Sequence, residues 1–90
     1  MTVVIVALGF ADGKDCPHAG QYLERFDFEH ENGLGFGEFT HDLGRAKRFV
    51  DKVDAYIFYH TVPKCRPRRD DGRANRPLTA LTAELREIDA

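Results

Sequence analysis

Between Lys64 and Arg76 six cations fall within thirteen residues: Lys64, Arg66, Arg68, Arg69, Arg73 and Arg76. Guanidinium groups grip phosphate or carboxylate in a bidentate fork, so this density points to contact with nucleic acid or with an acidic protein surface. The same stretch holds Asp70 and Asp71 ahead of Gly72, a turn sequence whose carboxylates can neutralise nearby arginines, followed by Asn75 and Pro77, which fix the path of the chain. The residues alone support contact and internal neutralisation about equally. An opposite reading rests on Asp27, Glu29 and Glu31, with Asp12 and Asp15 earlier in the chain. A row of carboxylates can imitate phosphates and occupy a basic DNA channel on another protein. A charged edge strand that resists aggregation is the plainer alternative.

Other chemistry finds less support. Cys16, His18, His41, His60 and Cys65 contain no CxxC or HxxxH pair, so no local scaffold supplies metal ligands and no metal is expected. Nothing places a base or an oxyanion donor beside either cysteine, and Asp70-Asp71 reads as a turn with paired charges rather than a nuclease pair. Gly9 to Lys14 lacks the spacing and hydroxyl of a phosphate loop, and Gly33, Gly35 and Gly37 make a poor dinucleotide fingerprint. A non-enzymatic protein without a cofactor is expected.

The elements that position these residues follow from length and patterning. Ninety residues, 42% hydrophobic and 31% charged, describe one globular domain, residues 1–90, of modest stability. No stretch has the apolar length of a membrane span. The apolar start, Val3 to Leu8, has neither a basic leader nor a cleavage site, so a cytoplasmic monomer with two free thiols is expected. The net charge of −2 conceals segregation: residues 1–42 carry −6, residues 43–76 carry +6, and the tail −2.

Thr2 to Leu8 is β-branched and continuously apolar, as a central strand would be. Either Val3, Ile5 and Ala7 or Val4, Val6 and Leu8 then face away from the helices, and loop residues are expected to cover them. After a loop over Gly9 to Gly20, Gln21 to Glu29 alternates with Tyr22, Phe26 and Phe28 on one face. Glu24 breaks the alternation, which requires a sheet margin or a bulge. His30 to Gly37, with three glycines, reads as a flexible connection. Thr40 is placed as the N-cap of a helix over Asp42–Val50 that turns Leu43, Ala46, Phe49 and Val50 inward. Asp51, with Asp54 three residues on, caps a second helix with Val53, Tyr56, Ile57 and His60 on one face, although 55–62 is also strand-like. Leu78 to Ile88 alternates as a last strand, placed beside the first. The expectation is an α+β fold, order β-β-α-α-β: a three-stranded antiparallel sheet packed against two helices.

Several of these positions carry a resemblance. Gly20 to Leu23, Phe26-Asp27, Thr40 and Asp42, Ala46 to Phe49, Ala55, and above all the DGxxNRPLTA end at Asp71 to Ala80 resemble small proteins encoded by phages and prophages. Among proteins of this size and setting, the chain looks like an anti-CRISPR protein acting on a type I-C surveillance complex. The resemblance implies stoichiometric binding to that CRISPR effector complex, preventing it from engaging DNA, and implies no catalytic residue. The alternative is a small nucleic-acid-binding phage accessory protein that works through Arg66 to Arg76. Within the basic stretch, Lys64 to Arg69 is the expected contact, and Asp71 to Ala80 the device that turns the chain and seats the last strand.

Overall fold

The computed structural model describes residues 2–88. In chain order they form strand β1 (Thr2–Phe10), strand β2 (Tyr22–Asp27), a single turn α1 (His30–Gly33), strand β3 (Phe36–Thr40), helix α2 (Lys52–Tyr59) and strand β4 (Leu81–Ile88). Short 3-10 turns cover Leu43–Arg45 and Pro77–Ala80. The sheet is antiparallel with order β3-β2-β1-β4. The class is α+β with β1 central and β4 beside it as the patterning requires, but the sheet has four strands rather than three.

The central strand is buried on both faces. Val3 and Ile5 pack with Leu23, Phe49, Ala55, Leu78 and Leu81, while Val4 and Val6 pack against Ala46, with Tyr22 and Ile88 at the margin. That second face is the one the helices leave bare, and the segment after the first 3-10 turn helps to cover it. Leu8 alone among the apolar residues of this strand's start is half exposed.

The expected helix over Asp42–Val50 does not form. Asp42, not Thr40, is the cap: its Oδ1 accepts from the Gly44 amide at 2.8 Å, and Thr40 Oγ1 instead accepts from the Asp42 amide. One 3-10 turn follows, and then Ala46 is extended. The competing partner is the sheet. β1 pairs with β2 near Val6↔Tyr22, and beyond that point residues 47–49 lie between the two strands. Lys47 N–H donates to the Leu23 carbonyl, and Phe49 exchanges both backbone hydrogen bonds with Val3. Extended backbone satisfies strand edges that a helix would have left open. Ala46 and Phe49 are buried as expected, whereas Leu43 and Val50 are exposed.

The irregularity at Glu24 is a bulge: the β2–β3 register shifts between Leu23 and Arg25. It lets Leu23 and Phe26 face the same core, and it sends Tyr22 to the opposite cluster. The expected flexible connection is also structured. Glu31 (φ 52°, ψ 48°) and Asn32 (φ 54°, ψ 42°) make a left-handed turn, and Phe36–Thr40 becomes the edge strand.

Asp51 caps α2 as its position implies, accepting from the Asp54 amide at 2.9 Å. The buried face of α2 is the reverse of the expected one. Ala55 is fully buried, Phe58 and Tyr59 pack on the core, and the Tyr59 hydroxyl donates to the Leu81 carbonyl. Val53, Tyr56 and Ile57 are more than half exposed. Ala55 is a small residue on the face toward the sheet, so the helix can lie close enough for Phe58 and Tyr59 to pack on the core.

Candidate partner-binding surface

The basic stretch is a miniature hairpin rather than an open loop. Asn75 N–H donates to the Pro67 carbonyl at 3.0 Å, Arg69 N–H to the Arg73 carbonyl at 2.7 Å, and Arg68 lies opposite Ala74. The tip turns at Asp70 and Asp71 into Gly72, whose φ of 85° suits glycine. Asp71 Oδ1 accepts from the Arg73 amide and closes the turn.

Two polar clamps join this hairpin to the body. The Glu29 carboxylate accepts from the Lys64 amide through one oxygen and from the Cys65 amide through the other, each at 2.9 Å. These hydrogen bonds, Cys65 first, hold the Glu29 carboxyl below its ordinary value. At the other end, the buried Asn75 side chain donates from Nδ2 to the Gly33 carbonyl at 2.8 Å and to the Arg66 carbonyl at 3.0 Å. Gly33 sits so close that an added Cβ would lie 2.8 Å from Arg66 Cβ, and its φ is 89°. The left-handed turn α1 therefore exists where it can present this carbonyl to Asn75 and keep a side chain out of the contact.

The six expected contact residues divide by what they touch. Arg66 reaches Asp70 at 3.2 Å, Arg73 Nε lies 3.9 Å from Asp71, and Arg68 Nη1 donates to the Gly72 carbonyl at 3.0 Å. Among the described residues, the side chains of Lys64, Arg69 and Arg76 have no ion pair or hydrogen bond. Neutralisation is thus partial: two aspartates stand against six cations in the hairpin.

The expected acidic face is a different matter. Asp27 Oδ1 accepts from the Glu29 amide, Glu29 is the clamp, and Glu31 lies in α1 with its carboxylate 3.9 Å from His30 Nε2. Asp27, Glu29 and Glu31 are all exposed, and the Glu29 carboxylate is in addition engaged by two backbone amides.

Sequence reasoning missed the grooves beside the hairpin. One, of about 460 Å³, is lined by Arg66, Arg69, Asp70, Asp71 and Asn75 together with Leu34, Pro77 and Ala80. The second, of about 260 Å³, shares Leu34, Pro77 and Ala80 and continues over Phe10, Phe36 and Phe39. Its signal was the alternation Gly33-Leu34-Gly35-Phe36-Gly37. Added Cβ atoms at Gly35 and Gly37 would lie 2.7 Å and 2.9 Å from the Phe26 ring, so the glycines seat the backbone on that ring. The intervening Leu34 and Phe36 are left exposed.

Both cysteines are free thiols, and a hydrogen bond with Glu29 pushes the Cys65 thiol up, which lowers its nucleophilicity near neutral pH. Among the described residues, no three of His, Cys, Asp and Glu gather as metal ligands, and no helix is long and apolar enough to cross a membrane. Compared with family models, curated proteins and solved structures, the chain matches none.

Proposed function

We propose that this chain is a non-enzymatic binding protein whose working surface is the Lys64–Arg76 hairpin. On the resemblance of its sequence to small phage proteins, its target is a CRISPR surveillance complex in the cytoplasm of a bacterial host, inhibited stoichiometrically. The observation that carries the binding reading is the contrast within the hairpin. Its backbone is pinned at Glu29 and Asn75 while Lys64, Arg69 and Arg76 remain unpaired among the described residues. Holding long cations on a fixed frame lowers the ordering cost of a contact, and complementary charge speeds association and selects the partner. Covering a DNA-recognition site or locking a conformation fits this surface better than DNA mimicry, because the carboxylate at the centre of the acidic row is already engaged.

The test is co-elution with a purified type I-C surveillance complex at physiological salt, followed by target-DNA binding. Retention together with loss of DNA binding supports the reading, and absence of co-elution sinks it. The same cations favour a second reading, a nucleic-acid-binding accessory protein. It requires salt-dependent retention of DNA or RNA by the isolated chain.

A further inference from the structure

The two grooves beside the hairpin share Leu34, Pro77 and Ala80 as lining residues, so a charged groove and an apolar groove adjoin and can serve as the two ends of one channel. We infer that this channel takes an extended segment of a partner protein, seating a large apolar side chain against Leu34 and Phe36 and a nearby carboxylate on Arg69. The inference rests on the binding reading above and names the chemistry that the surface recognises.

Charge complementarity sets the polar half. Arg69 lines the charged end with no side-chain partner among the described residues, and Arg76 lies between the lining residues Asn75 and Pro77. Arg66 already faces Asp70, and Arg73 faces Asp71. The unmet demand is for one or two carboxylates. With Asp70 and Asp71 each facing an arginine, Arg69 is the one lining cation without a partner among the described residues, which matches an isolated carboxylate rather than a run of phosphates.

The apolar half separates a side chain from a nucleic-acid base. A base needs open ring faces on which to stack. Here His18 stacks on Phe39 with ring centroids 4.5 Å apart, and the Gly35 and Gly37 backbone lies against Phe26. Those faces are used within the protein. What stays exposed is Leu34 and half of Phe36, whose ring already lies 5.3 Å from that of His30, and together they suit an aliphatic or aromatic side chain of a peptide. Exposed apolar groups next to a free cation on a fixed frame have the make-up of an interface: an apolar anchor with a polar rim.

The probe is a random linear peptide library displayed on ribosomes and selected on the whole chain, with Arg69→Glu and Phe36→Ser as comparison baits. Both substitutions replace exposed side chains, and thermal melts confirm that each variant folds. Selected peptides are expected to place Asp or Glu within a few residues of Phe, Leu or Trp. They should weaken about tenfold or more on either variant, as expected when a central contact of an interface is removed. Amide shifts on binding should centre on Leu34, Phe36, Arg69 and Ala80. Failure to enrich any such pattern, binding to both variants as tight as to the wild type, tighter binding of a dT15 oligonucleotide at the same amides, or a self-association abolished by Phe36→Ser would each overturn the inference. A surveillance complex retained equally by the wild type and both variants overturns the channel while sparing the inhibitor reading. Peptide selection without retention of the complex does the reverse.

Discussion

The arginine hairpin and helix α2 both leave long side chains in solvent, yet they are held in place by opposite means. The hairpin has almost no apolar interior, and beside its own backbone and turn hydrogen bonds it is clamped by four more, two to the Glu29 carboxylate and two from the Asn75 side-chain amide. Helix α2 is held by packing of Ala55, Phe58 and Tyr59 on the sheet, with one hydroxyl tied to the Leu81 carbonyl. In each region the residues that catch the eye in the sequence, the arginines and Val53-Tyr56-Ile57, are the ones turned outward. Part of what holds each region is inconspicuous: a glutamate and an asparagine at the hairpin, and an alanine beside Phe58 and Tyr59 under α2. Conspicuous chemistry at a surface thus says what a region offers to a partner, and the quiet residues say why it keeps its shape.

The contrast can be broken by substitution. The largest effect belongs to Leu78, fully buried where the hairpin passes into the core. Leu78→Ala should destabilise by about 3 kcal/mol, a loss of roughly 15 °C in melting temperature by calorimetry. Next comes Asn75→Ala, which leaves the Gly33 and Arg66 carbonyls without their donor. A cost of about 2 kcal/mol is expected by chemical denaturation, with faster amide exchange through residues 66–75. If the substitution is silent, the hairpin is held by something other than the clamp.

Glu29→Gln tests the other clamp through pH. Folding lowers the Glu29 pKa, so the charged clamp contributes fully above its ordinary value of 4.5 and loses that contribution as pH falls through the lower folded-state value. The difference in melting temperature between wild type and Glu29→Gln should therefore be widest near neutral pH and close as the solution is acidified below 4.5. A gap that is independent of pH would mean that the carboxylate's charge is immaterial to the clamp. The smallest effects are expected for Ile57→Ser on α2 and Arg76→Ser on the hairpin, each within about 0.5 kcal/mol, because both side chains are exposed. Only Arg76→Ser should also weaken a partner bound at the hairpin, which a binding titration would read.

Local rules were legible wherever one strong signal stood alone. The β-branched run of β1, the Asp51 cap of α2 and the alternation of Leu81, Ala83 and Leu85 each have a short-range cause, and each element is present. The break at Glu24 was legible as either a sheet margin or a bulge, and the register shift between Leu23 and Arg25 decides for the bulge. The division of the basic stretch was legible in part. Asp71 to Ala80 does turn the chain and seat β4, through Asn75 and Leu78.

What the chain's own order determined is its class, its central strand, and the clustering of six cations in thirteen residues. Tertiary structure alone decided three things. The open edges of β1 and β2 took residues 47–49 into extended backbone and so ended a helix that helical periodicity favours. Packing on the sheet chose the Ala55, Phe58 and Tyr59 face of α2 for burial over Val53, Tyr56 and Ile57. Glu29 met the amides of Lys64 and Cys65, more than thirty residues away in sequence, and turned a surface carboxylate into a clamp. The reason is the same in all three cases: a backbone group or a small side chain is satisfied by whatever the fold brings near, and sequence patterning records only what lies within a turn or two along the chain.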